Sequence, residues 1–186
     1  MAISKVTSAS ITTDAVGPTQ LNEASNYDFT GTVTGAGGVN TPMFYGRQGS
    51  AQTLTRSAST KITGFTSEEI DSDTAFDGTT FTVPSGKGGK YFFGVVFNAD
   101  FEAAGNDGEQ VTIRIYKNGS EVLGTRDINA GSGRDMQLHG ATTSCILDLS
   151  ASDTIEAYGI LADASTSGTL KTRAGASSFY GYKLIE

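Results

Sequence analysis

A chain of 186 residues with 13 Lys and Arg against 20 Asp and Glu, net charge -7, is long enough for one domain plus an extension and too short for two ordinary domains. The acidic balance disfavours a nucleic-acid binder that neutralises phosphates and a polybasic membrane-surface protein. No stretch approaches the roughly 20 apolar residues of a bilayer span, and the start has no apolar block of secretory-leader length, so neither membrane insertion nor export is expected.

Residues 1–40 hold one basic residue, Lys5, and are rich in Ser, Thr, Ala, Asn and Gly. Their apolar residues Val6, Ile11, Val16 and Leu21 recur every five positions, which matches neither the helical nor the strand period. Such a segment cannot bury enough apolar surface alone to offset its ordering entropy. It is expected to be an extended arm that anchors on another protein.

From residue 41 to 186 the chain reads as short strands separated by turns, so the expected class is all-β. SEEIDSDTAFD gathers Glu68, Glu69, Asp71, Asp73 and Asp77. FDGTTFTVPSGKGGKYFF follows, with Phe76, Phe81, Tyr91, Phe92 and Phe93 around one broken turn, and Ser85 to Gly88 read as a hairpin. KYFFGVVFNAD is the strongest strand, with Tyr91, Phe93, Val95 and Phe97 on one face and Phe92, Gly94 and Val96 on the other. A strand apolar on both faces needs cover on both sides, one side from the domain's own second sheet and the other from a partner subunit.

VTIRIYKNGSEVLG is a hairpin with Asn118-Gly119 at its tip. The Asn118-Gly119-Ser120 sequon is explained by that turn. SCILDLSASDTIEAYGIL reads as another strand pair turning at SASD, with Cys145, Leu147 and Leu149 on one face. The closing SSFYGYKLIE sets Phe179, Gly181 and Lys183 against Tyr180, Tyr182 and Leu184. Regular short strands with polar turns favour an antiparallel sandwich or jelly roll.

Chemistry is sparse. Cys145 is the sole cysteine and His139 the sole histidine, so there is no intrachain disulfide, no pair of histidines for zinc and no catalytic set. Cys145 is expected to be a small buried hydrophobe and His139 a surface or loop residue. The carboxylates of SEEIDSDTAFD could offer oxygens to calcium, although their spacing is not that of an EF-hand loop. Arg47, Arg56, Arg114, Arg126, Arg134 and Arg173 are scattered, as expected of surface or intersubunit ion pairs.

Several ordered motifs carry a resemblance. Asp73, Phe76, Asp77, Thr80-Phe81, Val83-Pro84 and Gly89-x-Tyr91-x-Phe93 come first. Lys117-Asn118-Gly119 and Leu149-Ser150-Ala151-Ser152-Asp153-Thr154-Ile155 follow, and Ser178-Phe179-Tyr180-Gly181-Tyr182-Lys183-Leu184 closes the chain. Together they resemble the globular head of the complement-one-q and tumour-necrosis-factor superfamily of trimeric jelly rolls. That resemblance covers roughly residues 42–186 and implies a homotrimer in which Phe81, Tyr91, Phe92, Phe93, Phe97, Tyr180 and Tyr182 divide between core and trimer interface. The collagen stalk of many animal members is absent, since the chain has no Gly-x-y repeat and only three prolines.

ITTDAVGPTQLNEASNYDFTGTVTG resembles the low-complexity segments of bacteriophage tail-fibre and other virion proteins. Arm and head together imply a non-enzymatic virion protein: a short tail fibre or knob that meets a host-surface receptor, or alternatively a capsid decoration protein. A soluble signalling ligand is disfavoured without a secretion signal, and a polysaccharide hydrolase without paired carboxylates in a groove.

Overall fold

Alternating β-branched and aromatic residues, interrupted by Gly, Asn-Gly and Ser-Asp turns, are poor helix formers and good strand formers. The structure, a computed structural model, describes residues 40–101, 108–128, 137–163 and 169–184, and these contain strands and no helix. The expected arm, with Val6, Ile11, Val16 and Leu21, lies outside the described residues, as does Arg134.

In chain order the strands are β1 (Met43–Arg47), β2 (Thr53–Leu54), β3 (Thr60–Lys61), β4 (Ser67–Asp71), β5 (Thr80–Thr82) and β6 (Gly89–Asp100). Then come β7 (Gly108–Lys117), β8 (Ser120–Ile128), β9 (Leu138–Leu149), β10 (Thr154–Asp163), β11 (Leu170–Thr172) and β12 (Ser178–Lys183). The first sheet runs β9-β6-β12-β1-β4, with β11 beside β6 past the end of β12 and β2 beyond β11. The second runs β8-β7-β10, with β3 and β5 sharing the far edge of β10. All pairs are antiparallel. The sheets form a jelly-roll sandwich.

The core lies between the sheets. Tyr91, Phe93, Val95 and Phe97 of β6 are buried there with Val111, Ile113 and Ile115 of β7 and with Ile155, Ala157 and Leu161 of β10. Fully burying each large side chain contributes about 1.5–3 kcal/mol, and the face with four large side chains, against Phe92, Gly94 and Val96 on the other, is the one turned inward.

Phe76 and Phe81 pair across an isolated bridge and enter an aromatic cluster at one end of the sandwich. There Phe44 stacks on Phe76 at 4.4 Å and meets the edge of Phe179 at 5.0 Å, and Phe81 packs on Tyr91 at 5.6 Å and Phe93 at 5.4 Å. The aromatic density of FDGTTFTVPSGKGGKYFF is therefore largely a core feature.

Two expected pairings are corrected. Ser85 to Gly88 is not a hairpin, because β5 pairs with β10 in the second sheet while β6 lies in the first; the turn is a crossover between layers. Its geometry is held by Lys87 N–H donating to the Pro84 carbonyl at 3.1 Å and by the Tyr91 hydroxyl donating to the Lys87 carbonyl. Likewise β9 and β10 do not pair: β9 lies along β6 and β10 along β7. The SASD turn carries the chain from one sheet to the other, and Val83 and Ser152 N–H groups close it against β5's end with bonds of 2.9 Å.

The Asn118-Gly119 turn is as expected. Both residues are left-handed, φ 50° and 77°, which suits a two-residue hairpin joining β7 to β8.

Candidate assembly interface on the outer face of the first sheet

Because β6 commits its odd-numbered residues to the core, its even-numbered ones face outward, and the register of the neighbouring strands extends them into rows. One row crosses the sheet as Ile146 on β9, Phe92 on β6, Tyr182 on β12 and Met43 on β1. The next runs Ser144, Gly94, Tyr180, Tyr45 and Ile70. The rings touch: Phe92 and Tyr182 are 5.4 Å apart, Phe92 and Tyr180 6.3 Å, Tyr45 and Tyr180 6.2 Å.

Gly94 makes the Tyr180 position possible. A Cβ there would sit 2.4 Å from the ring's Cζ, so the tyrosine lies directly across the glycine backbone. Ile146 is 61% exposed, Ile70 48% and Tyr182 36%. A hollow of about 380 Å³ opens between Met43, Tyr45, Ile70, Tyr180 and Tyr182. Large apolar groups in adjoining rows make a patch rather than scattered surface residues.

A second uncovered region adjoins the first, along the β8 edge of the second sheet. Every residue of β8 is exposed, including Val122, Leu123 and Ile128, and Leu138 at the start of β9 is exposed as well. β8 is the free edge of its sheet, nine residues long. Glu121, Arg126 and Asp127 and a bulge in its pairing with β7 interrupt this edge, but its exposed apolar residues still invite another chain unless they are covered. A cleft of about 520 Å³ runs between the β8 and β9 edges, lined by Leu123, Thr125, Thr142, Thr143 and Ser144 with Tyr180 at its side.

The residues expected to divide between core and interface do so by strand face. Phe81, Tyr91, Phe93 and Phe97 are fully buried. Phe92, Tyr180 and Tyr182 stand on the outer face. Tyr45, Ile70 and Ile146 join them there, though no sequence pattern marks them; their outward positions follow from strand register, which the sequence does not display.

The groups weighed for chemistry are placed differently from one another. His139 is not a loop residue: it sits on β9, partly buried, with Nε2 3.0 Å from an Asp127 carboxylate oxygen on β8. Cys145 is half-buried rather than fully so, a free thiol beside Phe93 on the inner side of β9, and burial pushes its pKa up. Six residues of strand hold His139 and Cys145 about 20 Å apart, so they form no nucleophile pair.

In the acidic stretch, Asp71 accepts from the Ala75 and Phe76 N–H groups and Asp77 from those of Thr79 and Thr80. Glu69 pairs with Arg47 at 2.8 Å and Asp73 lies 3.6 Å from Lys87. These carboxylates hold their own turns. Among the described residues no three His, Cys, Asp or Glu side chains gather in a metal-binding group. The arginines are not all surface residues either, since Arg56 forms an ion pair with the buried Asp163.

No protein-family profile matches the sequence, and no curated protein matches it. Among solved structures, the globular domain of zebrafish complement 1qA protein matches with a TM-score of 0.55 at 16% identity, covering 77% of this chain and 97% of that one. At that identity the likeness concerns the fold. The head shares that domain's jelly-roll fold.

Proposed function

We propose that the chain is a non-enzymatic structural protein of a bacteriophage particle: a homotrimeric knob that docks through residues 1–40 and presents its head to a host surface. One observation carries the assembly part. The head has two uncovered apolar regions of different composition, the aromatic rows of the first sheet and the β8 edge with Leu138. A two-fold dimer pairs a patch with itself, whereas a patch meeting a different patch on the next copy makes a head-to-tail contact, which closes into a ring when the rotation between copies closes and otherwise extends as a filament. Two unlike patches on each subunit therefore favour head-to-tail contact over a two-fold dimer, and the C1q-type fold favours its closure at three copies.

The arm reading rests on the resemblance of residues 11–35 to virion-protein segments. Function in this reading is mechanical: three weak head contacts act together through effective concentration, and many trimers on one particle hold a surface without a tight single site. Deleting residues 1–30 is expected to leave the assembly intact and abolish its incorporation into particles. Normal incorporation of the shortened chain refutes the docking role. Electron microscopy of labelled particles then separates tail attachment from capsid decoration.

A further inference from the structure

The Asn118-Gly119 turn has a chemical side that its folding role does not use. In a flexible chain the backbone nitrogen of a glycine after asparagine meets little hindrance, having no neighbouring Cβ. Once deprotonated it can attack the asparagine Cγ. The new C–N bond forms as the Cγ–Nδ2 bond breaks, ammonia leaves with the proton, and water opens the cyclic imide at either carbonyl, giving aspartate or isoaspartate.

In the folded head Asn118 is bound on every side. Its Nδ2 donates to Asp153 Oδ1 at 2.7 Å, its Oδ1 accepts from the Thr154 N–H at 2.8 Å and the Thr154 hydroxyl at 3.3 Å, and its own N–H donates to the Thr154 carbonyl at 3.0 Å. Asp153 is fixed in turn, its Oδ2 accepting from the Ser150 N–H at 2.8 Å and lying 2.9 Å from Lys117 Nζ. Turning the carboxamide so that Gly119 N can reach Cγ breaks the side-chain bonds to Asp153 and Thr154 together.

We propose that Asn118 is a deamidation site which the fold holds shut by clamping its carboxamide to Asp153 and Thr154. Once the site opens, conversion resists reversal of the opening. In the aspartate product the donor facing Asp153 Oδ1 becomes an oxygen, a like-charge contact that disfavours reclosure; in the isoaspartate product the main chain gains an atom by running through Cβ and Cγ, so the turn no longer fits its place. The tie between the β7–β8 tip and the SASD turn is lost. The site thus records how long a given copy has spent locally or globally unfolded. This inference is independent of the proposed virion role.

The test incubates the full chain in mildly alkaline buffer, with and without urea, and follows position 118 by peptide mass mapping that separates aspartate from isoaspartate. The expected result is conversion in urea and a rate at least about tenfold lower in the native protein, reflecting the rarity of local opening. Equal rates overturn the proposal, and so does absence of conversion in urea. Asp153→Ala removes one clamp; in protein whose circular dichroism remains native, it is expected to raise the native rate severalfold. An unchanged rate in folded Asp153→Ala also overturns it. Should that variant not fold, Thr154→Val, which removes only the hydroxyl contact, is read for a smaller acceleration, and no acceleration overturns the clamp.

Discussion

The two sheets of this sandwich turn different surfaces outward. On the second sheet, Tyr116 and Tyr158 stack on each other at 4.0 Å. Around them Lys61 binds Glu156 at 2.6 Å and Thr80 at 2.8 Å, and Arg114 binds Glu121 at 2.9 Å. Its rings are shielded by one another and its charges are matched, so water suits it. Across the middle of the first sheet, Phe92, Tyr180, Tyr182, Tyr45, Ile70 and Ile146 stand in adjoining rows, with the Arg47–Glu69 ion pair at their β1–β4 end. The middle of the second sheet is thus finished, while the middle of the first sheet and the β8 edge of the second, with exposed Val122, Leu123 and Ile128, are not, and those uncovered regions are where a partner's burial would contribute most.

The strongest way to break this contrast is from beneath. Phe93→Ala removes an inward ring from the cluster with Phe81 and Tyr91 and is expected to cost about 3–5 kcal/mol in urea unfolding. Assembly should fail with it, because both outer faces hang on that core.

Gly94→Val sharpens the contrast by acting on the outer face alone. Its side chain would occupy the space of the Tyr180 ring and is expected to cost about 1–3 kcal/mol. The Tyr180→Ser change should relieve most of that clash in the double variant, which thermal melts can check.

Acid probes the tip between the sheets. Asp153 is held at about 2, below the ordinary carboxylate value, first by the Asn118 hydrogen bond, then by Ser150 N–H and Lys117. A depressed carboxylate contributes stability that is present above its ordinary pKa and lost as the pH falls toward about 2. Asp153→Asn should therefore flatten that part of the stability curve against pH. The smallest effect is expected on the finished side: Lys61→Ala should cost about 1 kcal/mol or less and leave the oligomeric state unchanged.

Much of this was legible beforehand where the period of two decides the answer. Tyr91, Phe93, Val95 and Phe97 alternate strictly enough to share one face of β6, although which of its two apolar faces is the core came only with the structure, and Asn118-Gly119 specified its turn through backbone geometry. Pairing was less legible. Alternation assigns residues to faces without saying which strand lies alongside, so β9 and β10 read as partners across SASD although that turn joins opposite sheets. The Ser85–Gly88 crossover depends on bonds from Val83 to Asp153 and from Ser152 to Val83, contacts distant in sequence. The ion pair of Arg56 with Asp163 and the outward row through Tyr45 and Ile70 likewise arise only from register.

The oligomeric state of the head tests the central claim most directly. Light scattering on residues 37–186 at micromolar concentration, beside Tyr182→Lys in the same segment, should find a trimer for the natural sequence. The variant should run as a monomer with unchanged circular dichroism. A monomer for the natural sequence, or a trimer indifferent to a lysine in the aromatic rows, would contradict the account.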